Sequence, residues 1–172
     1  MELRFSPPEL RKLDELAVEL CVCGLWSDER PARGLAGLLD WRLAGRLSEL
    51  VRSGFVTGER GEALLIPGKP HVSFEKVLVL GLGARAAFDD GAYRAALDRL
   101  GTALVGLRVR RAVVELPGRS VDAITPENAV AIALEALGAS PDHDLWWLVE
   151  PGEAQRRIEQ RAAADRRRPR VS

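Results

Sequence analysis

Three small residues carry the clearest chemical pattern in this chain. Gly81, Gly83 and Ala86 follow an apolar run in KVLVLGLGARAAF (residues 76–88) and fit G-x-G-x-x-A. In that pattern the glycines let backbone N–H groups approach a diphosphate where a strand turns into a helix. Gly81, Leu82 and Gly83 are therefore the candidate ligand-binding residues. A phosphate loop places the helix start inside the motif, whereas the next capping residues here are Asp89 and Asp90, whose carboxylates repel a phosphate at that helix end. The motif also lies mid-chain, behind two strands. Glycines in such a place equally serve a tight turn and close packing, and the spacing favours that use.

Other reactive side chains are sparse. Cys21 and Cys23 lie two apart in ELCVCGL, which reads as a strand, so both thiols point to one face and cannot form a relaxed disulfide. His71 and His143 are isolated, so neither a metal site nor a hydrolytic triad can be assembled around them. No G-x-S-x-G, H-E-x-x-H or Walker-type lysine loop occurs. The pairs Asp89 with Asp90 and Asp142 with Asp144 fall at expected caps and turns. No catalytic residue, metal or cofactor is expected.

The elements that must position the glycine turn follow from periodicity. SPPELRKLDEL predicts a short helix from Ser6 to about Leu13, and LAVELCVCGLW a central strand. Leu35, Leu39, Leu43, Leu47 and Leu50 predict one amphipathic helix ending before Gly54. Arg46 falls near that apolar face, either snorkelling at its edge or pairing across an interface. GEALLIP and EKVLVLGLG are two strands, the second nearly all apolar, as a strand covered on both faces requires. Asp89 and Asp90 open a helix striped by Tyr93, Leu97, Leu100, Leu104 and Leu107. RRAVVELPG is a strand, and Thr125 with Pro126 caps ENAVAIALEALG, stopping at Gly138. DLWWLVE is the last strand. Its Trp146 and Trp147 point to opposite faces and are, with Arg46, the candidate interface residues.

The chain has 172 residues, 47% of them hydrophobic, which suits one core and not two ordinary domains. Twenty-five basic residues balance twenty-five acidic ones, which removes the global electrostatic case for nucleic acid or an anionic membrane. Only Lys12, Lys69 and Lys76 of the basic residues are lysine. No apolar run reaches a membrane span and the N-terminus lacks a signal peptide's apolar core, so a soluble, cytoplasmic protein is expected. Residues 1–150 read as one α/β domain. Residues 151–172 carry seven arginines against three acids and read as a polar helix and tail.

LAGLLDWRLAGRLSELVRSGFVTGERGEALLIP followed by FEKVLVLGLGARAAFDDGAYRAALDRL resembles the N-terminal domain of the leucyl aminopeptidases of peptidase family M17. The shared order is a helix with an LD…L…L…SG rhythm, G-x-x-G-E before an apolar strand, an apolar strand ending in GLG, and an acid-opened helix carrying YR. The resemblance covers roughly Leu35 to Leu116. It implies a macro-domain-like fold, three-layer α/β/α with a mixed, largely parallel sheet. The family's two metal ions lie in a separate C-terminal domain marked by NTDAEGR, which has no counterpart in this sequence, so no intrinsic aminopeptidase activity is expected. What the resemblance leaves is an interaction, regulatory or assembly module, through self-association or a protein partner. Macro domains bind ADP-ribose, which gives the glycine turn an alternative role as a nucleotide loop. Weak nucleic-acid binding through the arginines of 156–170 is a second alternative.

Overall fold

A computed structural model describes residues 1–167. Six strands form one sheet in the order β1-β6-β5-β2-β4-β3. They are β1 (Glu2–Ser6), β2 (Leu20–Trp26), β3 (Ala63–Pro67), β4 (Lys76–Gly83), β5 (Arg111–Val114) and β6 (Leu145–Val149). All neighbours pair in parallel except β3, which lies antiparallel along β4 at one edge. The sheet is mixed and largely parallel, so the carboxyl ends of five strands share one edge.

Side-chain alternation sorts the core into two faces. Leu20, Val22, Leu78, Leu80, Ala112, Val114, Trp146 and Leu148 point to one face. There they meet Tyr93, Leu97, Leu100 and Leu104 of α4 (Asp90–Gly106), Ala129, Val130 and Ala133 of α5 (Pro126–Leu137), and Ile158 of α6 (Gly152–Arg167). Cys21, Cys23, Leu25, Val77, Val79 and Val113 point the other way. They pack on Leu13 of α1 (Leu10–Asp14), Leu35, Ala36 and Leu39 of α2 (Gly34–Arg42), and Leu47 of α3 (Arg46–Arg52). This is a three-layer α/β/α sandwich. Both thiols are fully buried on one face, and burial pushes them well above the usual thiol range.

Two helix expectations are corrected. Glu2–Ser6 is a strand because β6 offers it a parallel partner along its whole length, from Glu2 beside Leu145 to Ser6 beside Val149. Pro7 and Pro8 then end the ladder, and Glu9, whose carbonyl accepts the Lys12 and Leu13 N–H groups, starts the helix that Ser6 was expected to cap. The single helix expected over 35–50 is broken between α2 and α3 at Ala44 and Gly45, with φ of 55° and 79°. Asp40 stabilises the break by reaching across to α3, where its carboxylate accepts the Ser48 N–H at 3.1 Å and the Ser48 hydroxyl at 2.5 Å. Such a bond satisfies one of the N–H groups left unpaired at a helix start.

The remaining caps fall where the sequence places them. Asp89 Oδ1 accepts the Ala92 N–H at 2.8 Å, and Thr125 Oγ1 accepts that of Asn128 at 3.4 Å. The polar segment after Pro151 forms α6, which buries Ala154 and Ile158 and whose Arg157 grips Glu127 at 2.6 and 3.0 Å. Arg168 and Arg170 lie outside the described residues. No helix among those described is long and apolar enough to cross a membrane.

Candidate functional site

The glycine turn sits at the carboxyl end of β4, and it is closed. The Gly81 N–H donates to the Glu62 carbonyl at 2.9 Å and the Gly83 N–H to the Gly58 carbonyl at 2.8 Å. The turn that receives these bonds is held by the Glu62 carboxylate, which accepts both Thr57 donors and the Gly58 N–H. Burial alone would raise the Glu62 carboxyl, yet these hydrogen bonds hold it below the usual carboxylate range. A Cβ on Gly81 would overlap the Glu59 carbonyl oxygen, and Leu82 is buried. The hollow beside them holds ≈ 40 Å³, enough for a water and too little for a nucleotide. G-x-x-G-E and GLG are thus two halves of one packing device. Between β4 and α4 a single 3-10 turn, Arg85–Ala87, keeps the helix start away from the glycines.

The three candidate interface residues are not brought together. Trp146 has no exposed surface and packs in the core on the α4–α5 side. Trp147 faces the α1–α3 side, half-buried, with the Arg4 guanidinium 5.4 Å from its ring centre. Arg46 is exposed on α3 and pairs with Glu49 at 2.7 Å. The most exposed large apolar side chains are instead Trp41 of α2, 75% exposed, and Phe55 just beyond α3, 70% exposed. A groove of ≈ 220 Å³ lies on the same α2–α3 side, lined by Leu25, Pro31, Leu47 and Val51.

A second polar site lies at the sheet's switch point. From β2 the chain runs to β3 and β4 on one side and then crosses to β5 on the other, and in open α/β sheets ligands favour the crevice at such a reversal. Here that crevice is lined by charge. Glu115, directly after β5, is buried, and its Oε2 accepts the Leu35 N–H at the start of α2 at 3.0 Å. Burial is the main reason its carboxyl is pushed up to about 7; the Leu35 bond opposes this, the charges of Glu150 and Glu29 add to it, and Arg119 opposes it. Glu150, directly after β6, is clasped by Arg119, whose guanidinium also donates to Asp122 and the Ile124 carbonyl. Sequence reasoning missed this cluster. The signal was available as charged residues set immediately after apolar strands, at the ligand-facing edge of a parallel sheet.

Residues 22–140 match the cytosol aminopeptidase family, N-terminal domain. The chain belongs to the cytosol aminopeptidase family. A probable cytosol aminopeptidase of Halorhodospira halophila is 33% identical over 117 residues, 66% of this chain and 23% of that protein. One of Thioalkalivibrio sulfidiphilus is 36% identical over 77 residues, 45% of this chain and 16% of that protein. The chain thus spans less than a quarter of the length of these aminopeptidase relatives. The fold is shared with a mutant of tomato leucine aminopeptidase, with a TM-score of 0.61 at 20% identity, covering 92% of this chain and 35% of that one. It is shared equally with the macrodomain of Thermus aquaticus DarG, at 0.65 and 18%, covering 87% and 98%. A Trypanosoma brucei macrodomain in complex with ADP superposes at 0.70 and 16% identity, covering 92% and 68%. The aminopeptidase N-terminal domain and the macrodomain are one architecture in this chain.

Proposed function

We propose that this chain is a non-catalytic module of the cytosol aminopeptidase family that works through its surface, in assembly or regulation, by contact with a protein partner or with copies of itself. The observation that carries the reading is the closed glycine turn. With the Gly81 and Gly83 amides spent on Glu62 and Gly58, neither glycine of the one phosphate-loop pattern in the sequence has an N–H free for a phosphate. Among the described residues no three His, Cys, Asp or Glu side chains gather as a metal-holding group, which a two-metal hydrolysis requires. Trp41 and Phe55 supply the apolar contact area that such a module uses.

Two measurements test it. Purified protein given leucyl-p-nitroanilide with manganese or zinc is expected to release no more product than a blank, and chelator-sensitive release overturns the reading. Sedimentation velocity over rising concentration, or with a captured partner, is expected to show association that Trp41→Ser with Phe55→Ser abolishes. Association unchanged by both substitutions places the contact elsewhere and removes these residues from the account.

The likeness to a macrodomain holding ADP favours a second reading, nucleotide binding. In this chain the ligand would enter the crevice at the ends of β2 and β5, where Glu115 already occupies the N–H group that an anion would need.

A further inference from the structure

The cleft beside the ends of β5 and β6, ≈ 220 Å³, is lined by Glu115, Arg119, Asp122 and Glu150, with Gly34 and Ser120. That is three carboxylates to one guanidinium, and the guanidinium is spent on Glu150, Asp122 and the Ile124 carbonyl. Glu115 is left over. It is more than nine-tenths buried, its Oε2 holds the Leu35 N–H, and among the described residues no donor reaches its Oε1. Glu29, which does not line the cleft, is a second buried carboxylate close enough to act on Glu115. Its Oε1 has no hydrogen bond, and the Arg85 Nη1 stands 3.7 Å away. The cleft therefore offers negative charge and, on Glu115 Oε1, an acceptor free for a ligand, the reverse of a phosphate site. The N-terminus of α2, which attracts anions, is already capped by this chain's own carboxylate.

We propose that this cleft takes a protonated amine, an alkylammonium group that donates to Glu115 Oε1, and that Glu115 sets its preference for cations over phosphates. An ammonium fits the donor set where a metal ion does not, since no group of three metal-ligating side chains forms among the described residues. The amine comes from a free small molecule or from a lysine of a partner. The inference stands without the assembly reading, because either source of amine satisfies the same carboxylate. Burial, which pushes the Glu115 carboxyl up to about 7, makes the site pH-dependent: the acceptor charge appears as pH rises through that value. The groups that act on it or feel its charge are Glu29, Glu150, Arg119, the Leu35 N–H and the buried Cys21 and Cys23 thiols.

The test is an amide-shift titration of the full 172-residue chain with n-butylammonium chloride. n-Butanol serves as the uncharged match, inorganic pyrophosphate as the anion, and a capped peptide with one lysine as the partner-like source. Saturable shifts at Leu35 and Ser120 are expected with butylammonium or with the peptide, and which of them binds identifies the source. Affinity is expected to fall about tenfold or more from about pH 8 to about pH 5.5, and likewise in Glu115→Gln. The proposal is overturned by no saturable shift with either amine at the higher pH, by an equal response to butanol or pyrophosphate, or by unchanged affinity in Glu115→Gln. If that variant does not fold, the pH series on the natural chain decides alone, and a flat profile overturns the proposal.

Discussion

Arg119 and Glu150 hold each other through two parallel hydrogen bonds, Nε to Oε1 at 2.7 Å and Nη2 to Oε2 at 3.0 Å, and both side chains are buried. They tie the segment after β5 to the end of β6, so they fix the geometry of the whole switch-point edge.

Removing one partner leaves a buried charge without compensation. Arg119→Met is expected to cost about 3–5 kcal/mol in urea denaturation. The double variant Arg119→Met with Glu150→Leu, which removes both charges, is expected to recover most of that loss. A double variant no more stable than the single one contradicts this account of the pair.

Glu115 gives stability a pH dependence whose sign is fixed by burial. Its folded carboxyl lies at about 7 against 4.5 for the free group, so between those values the folded chain holds a proton that the unfolded chain has lost. Its stabilising contribution is present below about pH 4.5 and is lost as pH rises through about 7. Glu115→Gln keeps an acceptor for Leu35 and removes the titration. It is expected to match the natural chain at the acid end and to exceed it at about pH 8 by at most about 3 kcal/mol. Parallel pH profiles of the two chains contradict the assignment.

His143 contributes with the opposite sign. Burial is the main cause that holds its imidazole below the usual range, with its ring centre 5.5 Å from that of Trp146. The folded chain therefore binds this proton less readily than the unfolded one. Its contribution is present above the ordinary histidine range and is lost as pH falls below it. His143→Phe keeps the ring and is expected to flatten the acid limb of the stability profile, while an unchanged limb removes His143 from the account.

Gly81 tests the packing role of the turn. A methyl group there meets the Glu59 carbonyl oxygen, which belongs to backbone and cannot swing aside. Gly81→Ala is expected to destabilise by about 1–3 kcal/mol, the usual cost of overpacking. A neutral substitution shows that the turn has room to open.

The legible and illegible parts of the molecule differ in range. The two-faced strands are written locally, as Leu20 and Val22 against Cys21 and Cys23 show, and so are the Asp89 and Thr125 caps. Ser6 ends a strand where its local sequence favours a helix cap, because that strand exists only through pairing with Val149, far along the chain. The break between α2 and α3 was hidden because Leu43 and Leu47 continue the stripe across it, and Asp40, which holds the break, looks like an ordinary surface acid. The glycine turn was visible as a motif, but that its amides are occupied depends on Gly58 and Glu62, some twenty residues upstream. Glu115 and Glu150 read as strand-end acids until the sheet order put them beside one crevice.

The central claim is that the glycine pattern closes a turn and leaves the chain to act through its surface. Calorimetric titration of the full chain with ADP-ribose tests it most directly. The account predicts no saturable heat at any ligand concentration that leaves the fold intact. One-to-one binding that weakens when Gly81 or Gly83 is replaced in a chain that still folds would contradict it.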